Sequence, residues 1–331
     1  MSEIVRTGVV GTGGLGTALG RRIHESDHGQ VVAVADVSAE NRNRAADELG
    51  VPEDARYEEY ESLLEDDIDA VVIATPHTLH YEQVVAALDR GLHVLCEKPL
   101  TTDLDHAREL VRLAETGEEV LMVGYQRHVS PAYVAAAEWI DSHARPKFIT
   151  AEITQNWITA QIGQWRSNPD LSGGGQLYDT GSHLVDAVLW TTGLTPTHVS
   201  AEMVFHDDER RVDTQAMVNV GFEGGTVASI SVSGDAPRVR EHIHFWGDDG
   251  AIYIDGVEWN QRELTEIDLE GEERTRSLAD PPFANKCEAF LHSILTGVEP
   301  PATARDAFYV TAVTEAAYES ARTGERVPIE L

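Results

Sequence analysis

Lysine is almost missing from this chain. Its 331 residues include only Lys98, Lys147 and Lys286, against 57 aspartates and glutamates, and the formal net charge is −32. So acidic a chain lacks the basic footprint that nucleic acids require. It repels itself at low ionic strength, a repulsion that salt screens. Acid-rich, lysine-poor composition resembles that of proteins from salt-accumulating halophiles, and composition alone leaves an ordinary acidic mesophile protein as the alternative. Cysteine is scarce too. Cys96 and Cys287 are far apart, which excludes a Cys-rich zinc site and fits a reducing compartment. No apolar run approaches the ~18 residues of a membrane span, and MSEIVRTGVVG has no basic segment leading into a long apolar one. A cytoplasmic protein without a membrane partner is expected.

What is present is enough apolar residue, 42%, for packed cores, on a length that suggests two domains. In the first part short apolar runs alternate with helical patterns. Apolar runs at 5–10, 31–37, 69–76, 93–99 and 120–126 are separated by stretches such as AENRNRAADELG and LDHARELVRLAETG. That alternation predicts βαβ units and a parallel sheet. After about residue 125 strand-like stretches dominate, and Gly-containing turns such as GFEGGTVAS and FWGDDGAIY join several of them. These are hairpin signals. The expected fold is α/β: an amino-terminal doubly wound parallel sheet of Rossmann type over 1–124, then an α+β domain over 125–331 with a large, mostly antiparallel sheet. One exposed sheet face in that domain predicts a homo-oligomer, a dimer or tetramer.

Gly11-Thr12-Gly13-Gly14-Leu15-Gly16 fits G-x-G-x-x-G, with an apolar strand before it and a helix after it. Glycines there allow a tight turn and close backbone approach, and a helix amino terminus meets a pyrophosphate. Asp36, 20 residues past Gly16, stands where a carboxylate accepts hydrogen bonds from a ribose hydroxyl. It favours NAD, because a carboxylate repels the 2′-phosphate of NADP. Ser38, Arg42 and Arg44 follow closely and keep NADP open. Ala74-Thr75-Pro76 and Cys96-Glu97-Lys98-Pro99 both end strands at the carboxyl edge of the sheet, where open α/β sheets bind ligands. Lys98 there is either a proton-exchanging amine of depressed pKa or half of a structural ion pair. Further on, Gly173-Gly174-Gly175 leads into a helical segment with Asp179 and His183 at i and i+4, predicted to share one helical face continued by Asp186. Such a pair binds vicinal hydroxyls and relays a proton, or caps a helix beside a core histidine. The remaining histidines are scattered without metal-site spacing, so no metal is expected.

GTGGLG, ATPHTLH, Glu97-Lys98-Pro99, VGYQRHVSPAY and GGGQLYDTGSHLVD, in this order, resemble the glucose–fructose oxidoreductase/inositol dehydrogenase (Gfo/Idh/MocA) family. GFEGGTVAS, FWGDDGAIYIDG and AYESARTGERVPI resemble its second domain, so the resemblance spans nearly the whole chain. It implies that Lys98, Asp179 and His183 form the catalytic and substrate-binding group. It also implies that Thr75, Pro76, His80, Glu97, Lys98 and Gln126 lie near the cofactor with the glycine loop, and that Trp165-Arg166 borders the site. Tyr125, Asn156 and Trp157 are further substrate-binding candidates. His128 departs from the pattern, standing where many relatives carry Arg or another residue. The implied activity is an NAD(P)-dependent dehydrogenase acting on the CH–OH group of a sugar, inositol or related polyol. Two alternatives stay open: an NAD-dependent glycosidase or epimerase that oxidises its sugar transiently, and a non-catalytic dinucleotide-binding regulator.

Overall fold

The first apolar run, VRTGVV, folds as β1 (Val5–Val10) and is buried over most of its length, as a strand covered on both faces must be. The computed structural model describes residues 4–331, and contacts divide them into two units. The first comprises the described part of 1–101 with Asp105–Gln126 and Phe283–Ala307. The second comprises Thr102–Leu104, Arg127–Pro282 and Phe308–Leu331.

In the first unit β1 joins β2 (Gly29–Ala35), β3 (Arg56–Tyr57), β4 (Ala70–Ile73), β5 (His93–Cys96) and β6 (Leu121–Val123). Their order is β3-β2-β1-β4-β5-β6, and every pairing is parallel. This is the Rossmann order, and its direction reverses between β1 and β4, the switch point at which such sheets bind ligands. The crossovers carry α1 (Gly14–Glu25), α2 (Ala39–Leu49), α3 (Tyr60–Leu63), α4 (His80–Leu88) and α5 (Leu104–Thr116). Each longer helix follows its sequence pattern. Leu19 and Ile23 bury one face of α1 at i and i+4, and Ala107, Leu110 and Val111 do the same on α5. Ser38 caps α2, accepting from Asn41 N–H, and Gly50 ends it in the left-handed conformation at φ 71°.

The second unit begins with α6 (Pro131–Ser142), which has proline in its first turn. It continues through β7 (Phe148–Asn156), α7 (Trp157–Gln161), α8 (Pro169–Ser172), a π-helical turn over Leu177–Gly181, and α9 (Ser182–Thr192). Strands β8 (Pro196–Phe205), β9 (Asp213–Phe222), β10 (Val227–Ser233), β11 (Asp235–Trp246), β12 (Ala251–Val257), β13 (Glu263–Ile267) and β14 (Glu273–Thr275) follow. The chain then returns to the first unit with α10 (Lys286–Thr296), and α11 (Ala304–Thr323), most of it in the second unit, leads to the closing strand β15 (Val327–Pro328). The nine-stranded order is β14-β13-β12-β11-β7-β10-β9-β8-β15. Only β7 and β10 pair parallel; the other pairings are antiparallel. Alternation is regular: Ile149, Ala151 and Ile153 of β7 and Ala228, Ile230 and Val232 of β10 are buried, with polar residues between them facing outward. Deep in this unit Glu241 lies between Arg127 and Arg262, and Tyr133 donates to it at 2.9 Å. Burial alone would raise the Glu241 carboxyl, but the two guanidinium groups outweigh it and hold it below the usual range.

Candidate functional site

In the first unit the glycine loop joins β1 to α1 and carries Gly11, Thr12, Gly13, Gly14 and Leu15. Gly11 has φ +84°, and a Cβ there would lie 2.7 Å from the Ala74 carbonyl group; a Cβ on Gly16 would lie 1.8 Å from the Gly11 carbonyl oxygen. Both are glycine because loop, helix and β4 touch backbone to backbone. Gly13 and Gly14 differ: nothing lies within 4 Å of a Cβ built on either. Gly13 is the N-cap of α1 and supplies no capping side chain, and the first turn carries no acid. Open space over an uncapped amino terminus of a 12-residue helix fits a pyrophosphate.

Asp36 follows β2 immediately. Its Oδ2 accepts from Thr12 N–H at 2.7 Å and the Thr12 hydroxyl at 3.2 Å, and its Oδ1 accepts from Ser38 N–H at 2.8 Å. The carboxylate is thereby tied to the glycine loop. Arg42 Nη1 donates to the Asp36 backbone carbonyl at 2.5 Å, and Arg44 Nη2 to the Thr12 backbone carbonyl at 3.4 Å, so two guanidinium groups fasten the backbone on either side of this contact.

At the ends of β4 and β5 the side chains fasten loops together. Thr75 donates its hydroxyl to Gln83 Oε1 at 2.6 Å, and Pro76 caps a 3-10 turn. His80 is fully buried, with Nδ1 2.7 Å from the Pro99 carbonyl and Nε2 2.9 Å from the Thr75 carbonyl. Burial pushes its pKa down, so the ring is held neutral. It is a strut between the two loops. Lys98 is half-buried, and its bond to Pro99 is cis. Glu97 is buried and paired with Lys286. Tyr125 is buried and Gln126 exposed, side by side after β6.

In the second unit the D-x-x-x-H segment differs from the α-helical face expected of it. Asp179 lies in the π-helical turn and His183 in the first turn of α9. π-turns within helices are frequent at functional sites, because one extra residue re-aims the side chains. Asp179 Oδ2 accepts from the Trp157 indole at 2.8 Å, and Oδ1 from Arg166 Nε at 3.2 Å. His183 is buried. Asn156, at the end of β7, is exposed, whereas Trp157 is buried. Asp186 points to His128: Nε2 and Oδ1 are 2.9 Å apart, and the His128 ring stacks on Trp190.

Sequence reasoning missed Asp213. Fully buried at the start of β9, it accepts from Gly175 N–H at 3.2 Å, Leu177 N–H at 3.0 Å and the Tyr318 hydroxyl. It clamps the glycine run and the first residue of the π-turn. Burial raises its pKa to about 6 against the lowering effect of those donors. A lone Asp opening a strand gave no signal of this.

Among the described residues no group of three or more His, Cys, Asp or Glu is arranged to hold a metal ion, and no helix is long and apolar enough to cross a membrane.

Residues 5–125 match the model of the GFO/IDH/MocA oxidoreductase family, NAD-binding Rossmann fold, and residues 133–253 match that of the GFO/IDH/MocA C-terminal domain. The chain is 31% identical to D-xylose 1-dehydrogenase (NADP(+)) 2 of Haloferax volcanii over 98% of this chain and 99% of the relative. The chain belongs to the GFO/IDH/MocA family. This family member is also 27% identical to the inositol 2-dehydrogenase of an Arthrobacter species, over 100% of this chain and 98% of that one. In fold it is similar to the aldose-aldose oxidoreductase of Caulobacter crescentus, with a TM-score of 0.87 at 24% identity over 99% of this chain and 100% of the other. It is thus an oxidoreductase with a Rossmann domain for a nicotinamide dinucleotide.

Proposed function

We propose that this enzyme oxidises an aldose at the anomeric carbon to the lactone, with D-xylose as the first sugar to test. The observation that carries the reading is Asp179, a carboxylate pinned by Trp157 and Arg166 with His183 four residues on, a donor–acceptor set suited to sugar hydroxyls. The likeness along the whole length to a xylose dehydrogenase supports an aldose over an inositol. Gly11, Thr12, Gly13, Gly14, Leu15 and Asp36 would hold the dinucleotide, with Thr75, Pro76, His80, Glu97, Lys98, Gln126 and Arg166 around the remainder. When bound, its nicotinamide supplies the hydride acceptor. Lys98 takes the proton of the C1 hydroxyl, so the sugar loses one hydride and one proton. Asp179 holds the neighbouring hydroxyls, His183 is the rival proton acceptor, and Tyr125, Asn156 and Trp157 complete the sugar side.

NAD is the proposed cofactor, on the strength of Asp36. One observation favours NADP instead: Arg42 and Arg44 donate to the backbone carbonyls of Asp36 and Thr12, beside the loop that would hold the ribose, and the Haloferax relative is named for NADP. The enzyme is further proposed to work in a salty, reducing cytoplasm, where two buried free cysteines remain thiols. It is proposed to associate with copies of itself through the outward face of β7, β9 and β10, where Phe148, Met217 and Val227 are exposed. A panel of aldoses, inositols, polyols and sugar acids, assayed with NAD and NADP in molar potassium chloride, tests the reading. Reduction of either cofactor with D-xylose or a related aldose is expected, and turnover confined to inositols or absent throughout counts against it.

A further inference from the structure

Two of the three lysines lie in one corner of the first unit. Lys147 is on the surface beside Asp248. Lys286, the first residue of α10, is buried, and its Nζ donates to Glu97 Oε1 and, at 3.0 Å, to the Gly124 carbonyl. Glu97 is equally buried and directly precedes Lys98, whose own N–H faces Glu97 Oε2 at 3.4 Å. Gly124 N–H in turn donates to the Cys96 carbonyl at 2.7 Å. A Cβ on Gly124 would lie 2.9 Å from that Glu97 carboxylate, which therefore packs on bare backbone. One ammonium thus joins the ends of β5 and β6, the strands that lead into Lys98 and Gln126. On the other side of Lys98, His80 fastens Pro99.

We propose that Lys286 is a positioning residue for Lys98, acting through Glu97: it fixes the carboxylate and cancels its charge, so that the Lys98 amine gives up its proton beside a neutral pair rather than beside a bare anion. The inference rests on reading Lys98 as the proton acceptor. Its sign follows from Coulomb's law in a buried site. Without Lys286, Glu97 is an unopposed anion next to Lys98 and holds the proton on. Without the Glu97 charge, Lys286 is an unopposed cation and drives the proton off. The titratable groups of the first unit that feel Glu97 or Lys286 include His80, Cys96 and Cys287, and Arg22 on α1 acts on Cys287. His80 and the two cysteines are buried and uncharged near neutral pH, so none of these three adds a charge beside the pair.

With only three lysines, acetic anhydride labelling against pH, read peptide by peptide by mass spectrometry, measures the Lys98 titration without cofactor or turnover. Lys286→Met is expected to move its midpoint up by about one pH unit, a tenfold shift, and Glu97→Gln to move it down by a similar amount. The double variant Glu97→Gln/Lys286→Met should return close to wild type, and Lys286→Arg should stay close to it. The acid limb of kcat for D-xylose should move in the same directions, with KM little changed. If Lys286→Met does not fold, the double variant, with no buried charge left, is still expected to titrate above Glu97→Gln. Unmoved midpoints, or shifts of one sign in both single variants, overturn the proposal. Shifted midpoints together with full turnover in Lys98→Met would uphold the coupling and refute the catalytic reading of Lys98 instead.

Discussion

Lys98 is half-buried at the carboxyl end of the parallel sheet, in a chain that has discarded lysine almost everywhere else. Lys98→Met removes the amine and keeps the length of the side chain. It should leave dinucleotide binding largely intact, since the glycine loop and Asp36 remain, and lower kcat by at least ~100-fold, the scale of a lost general base; turnover near wild type would remove Lys98 from the chemistry. Asp36 sets a second expectation. Its carboxylate accepts from Thr12 and Ser38, so Asp36→Ser both frees the loop and takes away the charge that repels a 2′-phosphate. The ratio of kcat/KM for NADP to that for NAD should rise at least ~10-fold, about 1.4 kcal/mol of discrimination. A wild-type enzyme that already prefers NADP would assign the choice to Arg42 and Arg44.

At the scale of elements, the π-turn and its clamp connect fold to site. Asp213 holds the amides of Gly175 and Leu177, and two residues further on stands Asp179. Folded Asp213 keeps its proton up to a pH of about 6, whereas an unfolded aspartate keeps it only to about 4. Its contribution to stability is therefore full below pH ~4 and is lost as pH rises through 6, a fall of ~3 kcal/mol. The amide introduced by Asp213→Asn cannot titrate. In denaturant melts the stability of wild type relative to Asp213→Asn should drop by about that amount between pH 3 and 7, and a difference constant with pH would contradict it. The π-turn also marks what the sequence hides. Apolar periodicity revealed the longer β-strands and α-helices, because burial imposes periods of 2 and 3.6 on side chains, but not the short helices α3, α7 and α8. Asp179 and His183 were visible by type and spacing, but an i, i+4 spacing looks the same in an α-helix and in a π-turn. β3 and β15, of two residues each, and β14, of three exposed ones, are too short to carry a period. Nothing in KCEAFLHSILT signals that Lys286 returns to Glu97 from 189 residues away; its rarity was the one visible hint. The Asp213 clamp and the Arg127–Glu241–Arg262 cluster are likewise long-range pairings that no local pattern encodes.

Over the whole molecule, charge decides behaviour. Exposed ion pairs such as Arg21–Glu48 and Arg305–Glu115 engage only a fraction of the 57 acids, and such pairs contribute little each. At ~0.01 M salt the Debye length is ~30 Å and charges across the surface repel one another; at ~1 M it is ~3 Å and only near neighbours do. Unfolding relieves the repulsion. The Tm in graded potassium chloride, without dinucleotide, should rise steeply between these limits, and a flat series would contradict the halophile reading while leaving the activity untouched. Stoichiometry separates a net dehydrogenase from a transient oxidiser or a silent binder. Purified enzyme in molar potassium chloride is given D-xylose and excess NAD or NADP, and reduced cofactor is counted against sugar consumed. One reduced dinucleotide and one lactone per sugar are expected. Sugar converted without net reduction, or dinucleotide bound with no sugar converted, would contradict a net dehydrogenase.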